Sequence, residues 1–196
     1  MLTKAPGTPC PVQSITPKTA LFGAISAQWS ALTAAQRAAW NGAVDNWQTT
    51  NIFGDLKKPS GKALFQRLNN QAQSAGLAGF TAVPAKLEMP DDIVSAAVIA
   101  VGAGTLTLTG ANTDASTQVV ISATAPQSAG TTNAGSKLRQ IYSVAGDSFV
   151  ATDAFDAYEA KFGTPVAGQN IFIGVKYVLA SGQASPEQVL NDAVAA

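Results

Sequence analysis

The sequence contains no histidine and one cysteine, Cys10. Without histidine the chain lacks the commonest general base and the commonest metal ligand. One thiol cannot close an internal disulfide or hold zinc, which leaves Cys10 as an incidental thiol or a bridge to another molecule. Charge is scarce as well. Twelve basic and twelve acidic residues make up 12% of the 196, about half the usual ~25%. They cancel, and no basic stripe is available to neutralise nucleic-acid phosphates. No run nears the ~20 apolar residues of a membrane span, and residues 1–12 lack the apolar core of a signal peptide. Synthesis in the cytoplasm without secretion is the expectation.

The place of charge is taken by Ala, Thr, Ser, Asn, Gln and Gly, beside an ordinary apolar share of 46%. A surface of that kind fits an ordinary neutral domain, a subunit largely covered in an assembly, or an extracellular adhesive module. The clearest local signal is Asn170 to Leu179. Ile171, Ile173, Val175, Tyr177 and Leu179 share one parity, and Phe172, Gly174, Lys176 and Val178 share the other. Alternation with β-branched and aromatic residues predicts a strand, and apolar residues on both faces place it centrally in a sheet.

The chain before it divides into four stretches. Residues 1–15 carry Pro6, Pro9 and Pro11 and read as an extended arm. Residues 16–76 read as a small helical module of two or three helices. Thr16-Pro17 opens the first, on which Leu21, Ile25, Trp29 and Leu32 recur at helical spacing. Thr33 and Gln36 fit a capping box for the second, whose stripe continues through Ala39, Trp40, Val44 and Trp47. A loop over Thr49 to Ser60 follows, with Ile52 and Phe53 as its anchors. Ser60 caps the third helix, which buries Leu64, Phe65, Leu68, Ala72 and Ala75 and ends at Gly76. The three tryptophans read as core, since Trp29, Trp40 and Trp47 lie on the apolar stripe; a stacking platform for bases or sugars is the competing reading.

Residues 77–90 form a linker expected to pack against something, and residues 91–196 a β body. Asp91-Asp92 reads as a solvated strand start. Strands are predicted over Ile93–Val101, Thr105–Thr109, Gln118–Ala123, Leu138–Val144, Ser148–Ala151, Asn170–Leu179 and Gln183–Leu190, the last interrupted at the edge by Pro186. Phe155, Tyr158 and Phe162 at helical spacing predict a short helix crossing between sheets. The fold class is therefore α+β, a helical module followed by an immunoglobulin- or fibronectin-type antiparallel sandwich. The structural core should include Trp29, Trp40, Trp47, Leu64, Phe65, Leu68, Ile171, Ile173, Val175 and Tyr177.

Chemical motifs fail on inspection. Ser60-Gly61-Lys62 imitates a phosphate loop, but Leu56 stands where the earlier glycine belongs and Ala63 where the hydroxyl belongs. Gly102-Ala103-Gly104 begins like a dinucleotide fingerprint, yet Thr107 replaces the third glycine and a strand follows, so it reads as a turn. Asp153, Asp156 and Glu159 could gather around calcium; a helix cap at Asp153 and a first-turn carboxylate at Asp156 explain two of them without it. No catalytic residue, cofactor site or metal site is assigned, and the expectation is a protein that is not an enzyme.

Two stretches resemble known proteins. Trp29 to Trp40, W-S-A-L-T-A-A-Q-R-A-A-W, and Pro59 to Asn69, P-S-G-K-A-L-F-Q-R-L-N, resemble the N-terminal part of uncharacterised structural proteins of tailed phages and prophages. Ala157 to Lys176 and Ser181 to Pro186 resemble the sandwich domain that follows in such proteins. The resemblance implies a virion component made in the host cytoplasm and present in many copies. Head decoration is the first expectation; a tail or baseplate subunit and a carbohydrate- or receptor-binding module are the alternatives. Other virion proteins and further copies of the chain are the expected partners, with no nucleic acid and no membrane. The candidate contact residues are Pro6, Pro9, Cys10, Pro11, Ile52 and Phe53. For a glycan, the loops Gln127–Ser136 and Ala145–Phe149 would supply the surface.

Overall fold

A computed structural model describes residues 17–89, 94–100, 104–110, 113–149 and 152–194. The arm with Pro6, Pro9, Cys10 and Pro11, the Thr16 cap, the Asp91-Asp92 strand start and the Gly102-Ala103 part of the expected turn lie outside these residues. The chain is α+β, with helices first and antiparallel sheets after them.

Helix α1 (Pro17–Ala31) turns sharply into α2 (Ala34–Ala43), which continues as a 3-10 turn through Trp47. The capping box is present. Thr33 Oγ1 accepts from the Gln36 amide, and Gln36 Oε1 accepts from the Thr33 amide. Helix α3 (Gly61–Ser74) starts where Ser60 Oγ accepts from the Ala63 amide. Ile25, Leu32, Trp40, Val44, Trp47, Leu64, Phe65 and Leu68 share one core, with Trp29 packed half-buried against it. Phe65 lies at its centre, with ring centroids 5.5 Å from Trp29 and 5.2 Å from Trp40. Ala39 is exposed, contrary to its place on the expected stripe. A methyl group does not declare a face, and the wider Trp40 took the inward position.

The stretch expected to be a plain loop contains a small hairpin, β1 (Thr49–Thr50) with β2 (Leu56–Lys57). Strands this short carry no period for a sequence to display. Residues 77–89 then pack back on the helices. Phe80 stacks on Trp40 at 6.2 Å, and Trp40 Nε1 donates to the Thr81 carbonyl at 2.8 Å. Asn69, fully buried, accepts from the Phe80 amide and donates to the Phe65 and Phe80 carbonyls, so its amide is satisfied on both sides.

The β region has two sheets. One runs β3 (Val94–Ala100), β4 (Thr105–Gly110), β7 (Thr152–Asp153). The other runs β6 (Arg139–Ala145), β5 (Gln118–Ala123), β8 (Asn170–Val178), β9 (Gln188–Ala193). Leu106 and Leu108 of β4, Val119, Ile121 and Ala123 of β5, and Ile171, Ile173, Val175 and Tyr177 of β8 share a single core. Alternation therefore marks the inward face as expected, and β8 sits between two partners. Helix α4 (Phe155–Phe162) crosses from the smaller sheet to the larger and buries Phe155 and Tyr158. Tyr158 Oη donates to the Thr124 carbonyl.

Two strands differ from expectation. Ser148 belongs to a 3-10 turn, Val150 and Ala151 of the expected strand lie outside the described residues, and the strand described at this edge is Thr152–Asp153. The last strand begins at Gln188, beyond Pro186, which has no amide hydrogen for a ladder.

The outer face of the larger sheet is covered by the helical module. Val120 and Val178 pack against Ala75, with Leu77 and Ala184 beside them. The last carbonyls of α3 receive donors from β6: Gln140 Nε2 reaches Ser74, and Ser143 Oγ reaches Ala75. In this way the open end of one element is satisfied by the face of another.

Candidate contact surface

The hairpin β1–β2 rises from the end of the 3-10 turn at Trp47. Its base is held by an ion pair between Asp45 and Lys58, which keeps the Asp45 carboxyl below its usual range. Its tip is organised by one side chain. Asn51 Oδ1 accepts from the Phe53 and Asp55 amides, both at 2.9 Å, and Asn51 Nδ2 donates to Asp55 Oδ2. The Asn51 amide donates to the Asp55 carbonyl, and the Gly54 amide donates to the Asn51 carbonyl. Gly54, at φ +89°, supplies the left-handed step that lets the turn close. An Asx turn of this kind fixes the backbone locally, without help from a core.

What it presents is apolar. Ile52 is 93% exposed, Phe53 82% and Leu56 71%. The expectation that Ile52 and Phe53 anchor the loop to its own module is therefore overturned. They point away from the module core, which Trp47 and its neighbours already fill. Single exposed apolar residues are ordinary on protein surfaces; here two stand at the tip of one hairpin and a third, Leu56, on its second strand.

A cleft of 410 Å³ lies where the end of the linker meets the β4–β5 connection. Leu87, Met89, Thr117 and Leu179 line it, with Glu88 and Asp114 among its charged members. The linker is clipped in place there: the Leu87 amide donates to Gln183 Oε1 at 2.6 Å, and Gln183 Nε2 donates to the Leu87 carbonyl at 3.0 Å. Asp114 is held ionised by the Ser116 amide and hydroxyl, which lower its pKa. A smaller cleft of 240 Å³ lies between the hairpin base at Thr49 and the β8–β9 turn, and Met89 lines both.

The other sequence-derived candidates fall elsewhere. Trp40, Trp47, Leu64, Phe65, Leu68, Ile171, Ile173, Val175 and Tyr177 are all core; Trp40 is wholly buried, and Trp47 shows only an edge to the smaller cleft. The loops 127–136 and 145–149 lie at opposite ends of β6, roughly 20 Å apart for seven residues of strand. They do not form one surface, and the first is tied down by Asn170, which donates to the Ala129 and Thr131 carbonyls. Asp153 spends its carboxylate oxygen on the Leu106 and Phe155 amides, and Glu159 accepts from Thr164. Among the described residues no three acidic, cysteine or histidine side chains gather as a metal site. No helix among them is long and apolar enough to cross a membrane.

Leu56, the cleft and the Gln183 clip were not legible in the sequence. Leu56 figures there only in the failed phosphate-loop match, and the cleft joins Leu87 to Thr117, 30 positions on, and to Leu179, 92 positions on. No family model, curated protein or solved structure matches the chain.

Proposed function

We propose that this chain is a non-enzymatic structural protein of a tailed-phage or prophage virion, foremost a decoration subunit of the head. The observation that carries the contact role is the ordered tip at Ile52 and Phe53, held by Asn51 and almost fully exposed. The resemblance of Trp29–Trp40, Pro59–Asn69 and the C-terminal stretches to phage structural proteins supports the virion assignment. A charge-poor surface supports it too, because interface cores are depleted in charge and enriched in aromatic and apolar groups.

The immunoglobulin- or fibronectin-like reading of the β region belongs to the same proposal. The strand order supports it: β5 and β6 pair in one sheet, while the chain changes sheet between β4 and β5, between β6 and β7, and between β7 and β8. In this account the arm, with Pro6, Pro9, Cys10 and Pro11, docks on the shell, and further copies and other virion proteins are the partners. Deleting residues 1–15 should lower the chain's copy number in purified particles at least several-fold, measured by quantitative mass spectrometry. Unchanged occupancy would remove the arm from the account.

A further inference from the structure

A groove of 580 Å³ runs between α1 and the start of the linker, a size within the ~300–1,000 Å³ of ligand clefts. Leu21, Leu77 and Phe80 supply its apolar wall and the exposed Gln28 its rim, and none of the residues lining it is charged. Gln73 lines it too. Its Nε2 is shut off from solvent and finds no hydrogen-bond partner among the described residues. Gly79 leaves room for this amide, since a Cβ there would stand 2.5 Å from Nε2. Buried donors are nearly always paired, so the wall calls for an acceptor. Asn69, one turn back on α3, shows the contrast, with its amide satisfied on both sides.

We propose that the groove holds the chain's own arm, with Pro6 and Pro9 against Phe80 and Leu77 and an arm carbonyl accepting from Gln73 Nε2. The arm is in reach, because it ends where α1 begins, at Pro17. Leu21 lies about 6 Å along the helix from there and Gln28 about 17 Å, at ~1.5 Å per residue. Pro11 is six residues before Pro17 and Pro6 eleven, which span up to about 20 and 36 Å at ~3.3 Å each, enough to turn back along the groove. The chemistry agrees. Ala5 to Thr16 carries no charge, like the groove. Pro6 and Pro9 stand three apart, one turn of polyproline II, and so share a face. A chain in that form makes no internal hydrogen bonds, which leaves its carbonyls for a donor, and such segments dock in aromatic-lined grooves. The inference does not rest on the virion reading; an arm that docks on a shell leaves the groove to do so.

Cys10 lies inside the proposed segment and is the one thiol of the chain, so its reaction with dithiobis-nitrobenzoate reports docking in the full chain. It should react at least fivefold more slowly than the same cysteine in a free peptide of the arm's sequence. The protection should not change with protein concentration, because the contact lies within one chain. Gln28→Lys puts a charge on the exposed rim, and Pro6→Asp puts one on the arm. Each should keep the wild-type circular dichroism and return Cys10 to the rate of its matching peptide. Hydrogen exchange at the amides of residues 77–81 should quicken several-fold in Pro6→Asp. Equal rates in wild-type chain and peptide overturn the proposal. So does protection that survives Gln28→Lys, or that fades on dilution and thus comes from the arm of another copy. Particles lacking the chain would defeat the virion reading and leave the docked arm standing.

Discussion

At the scale of single residues, two buried polar groups carry more structure than their size suggests. Asn69 joins α3 to the linker through two hydrogen bonds with Phe80 and makes a third to the Phe65 carbonyl within α3, inside an apolar setting. Replacing it with Leu leaves the Phe80 amide without its acceptor and the Phe80 carbonyl without its donor. Each buried group left unpaired costs about 1–3 kcal/mol, so urea denaturation of Asn69→Leu should show a loss of roughly 2–4 kcal/mol. Tyr158 is the second. Burial pushes its phenol up to about 12 from an ordinary value near 10. The unfolded chain releases that proton first, so the stability Tyr158 contributes is complete below pH 10 and is lost as pH rises through 10 to 12. Tyr158→Phe should be less stable than wild type at pH 8 by about 1 kcal/mol for the bond to Thr124, and the gap should narrow by pH 11.5. A gap that stays constant across that range would contradict the assignment.

At the scale of elements, the join between helices and sheet depends on Gly182. Its φ is +77°, and a Cβ there would stand 2.4 Å from the Leu68 carbonyl oxygen. The turn after β8 thus lies directly on the backbone of α3, one residue from the Gln183 clip. Gly182→Ala combines left-handed strain with a backbone clash, and thermal unfolding should show a loss of about 2–4 kcal/mol. Hydrogen exchange should place the added opening at Leu87 and along α3. Elements with their own signals were legible in the sequence: the Thr33 capping box, the Ser60 cap, the face of α3, the alternation of β4, β5 and β8, and α4. Two-residue strands have too little length to show a period, which hid β1, β2 and β7. The docking of α3 on the sheet uses Gln140, Ser143 and Gly182, and that of the linker uses Gln183, small or amide-bearing residues whose partners are distant in sequence. Ile52 and Phe53 face solvent where an apolar loop residue defaults to a core, since nothing in their local spacing sets a direction.

At the scale of the whole molecule, the helices cover one face of the larger sheet and the smaller sheet covers the other, so the main apolar faces are spent internally. Among the described residues the most exposed large apolar side chains are Ile52 and Phe53 at the hairpin tip, with Leu56, Val166 and Phe22 next. The role proposed for such a body is repeated contact with other proteins. The proposed role is tested most directly by cryo-electron microscopy of particles released by cells that carry the gene. The account predicts ordered density for the helical module and both sheets at repeated positions on the head, with the Ile52–Phe53 tip against protein. Particles complete and infectious without any density for the chain would contradict it.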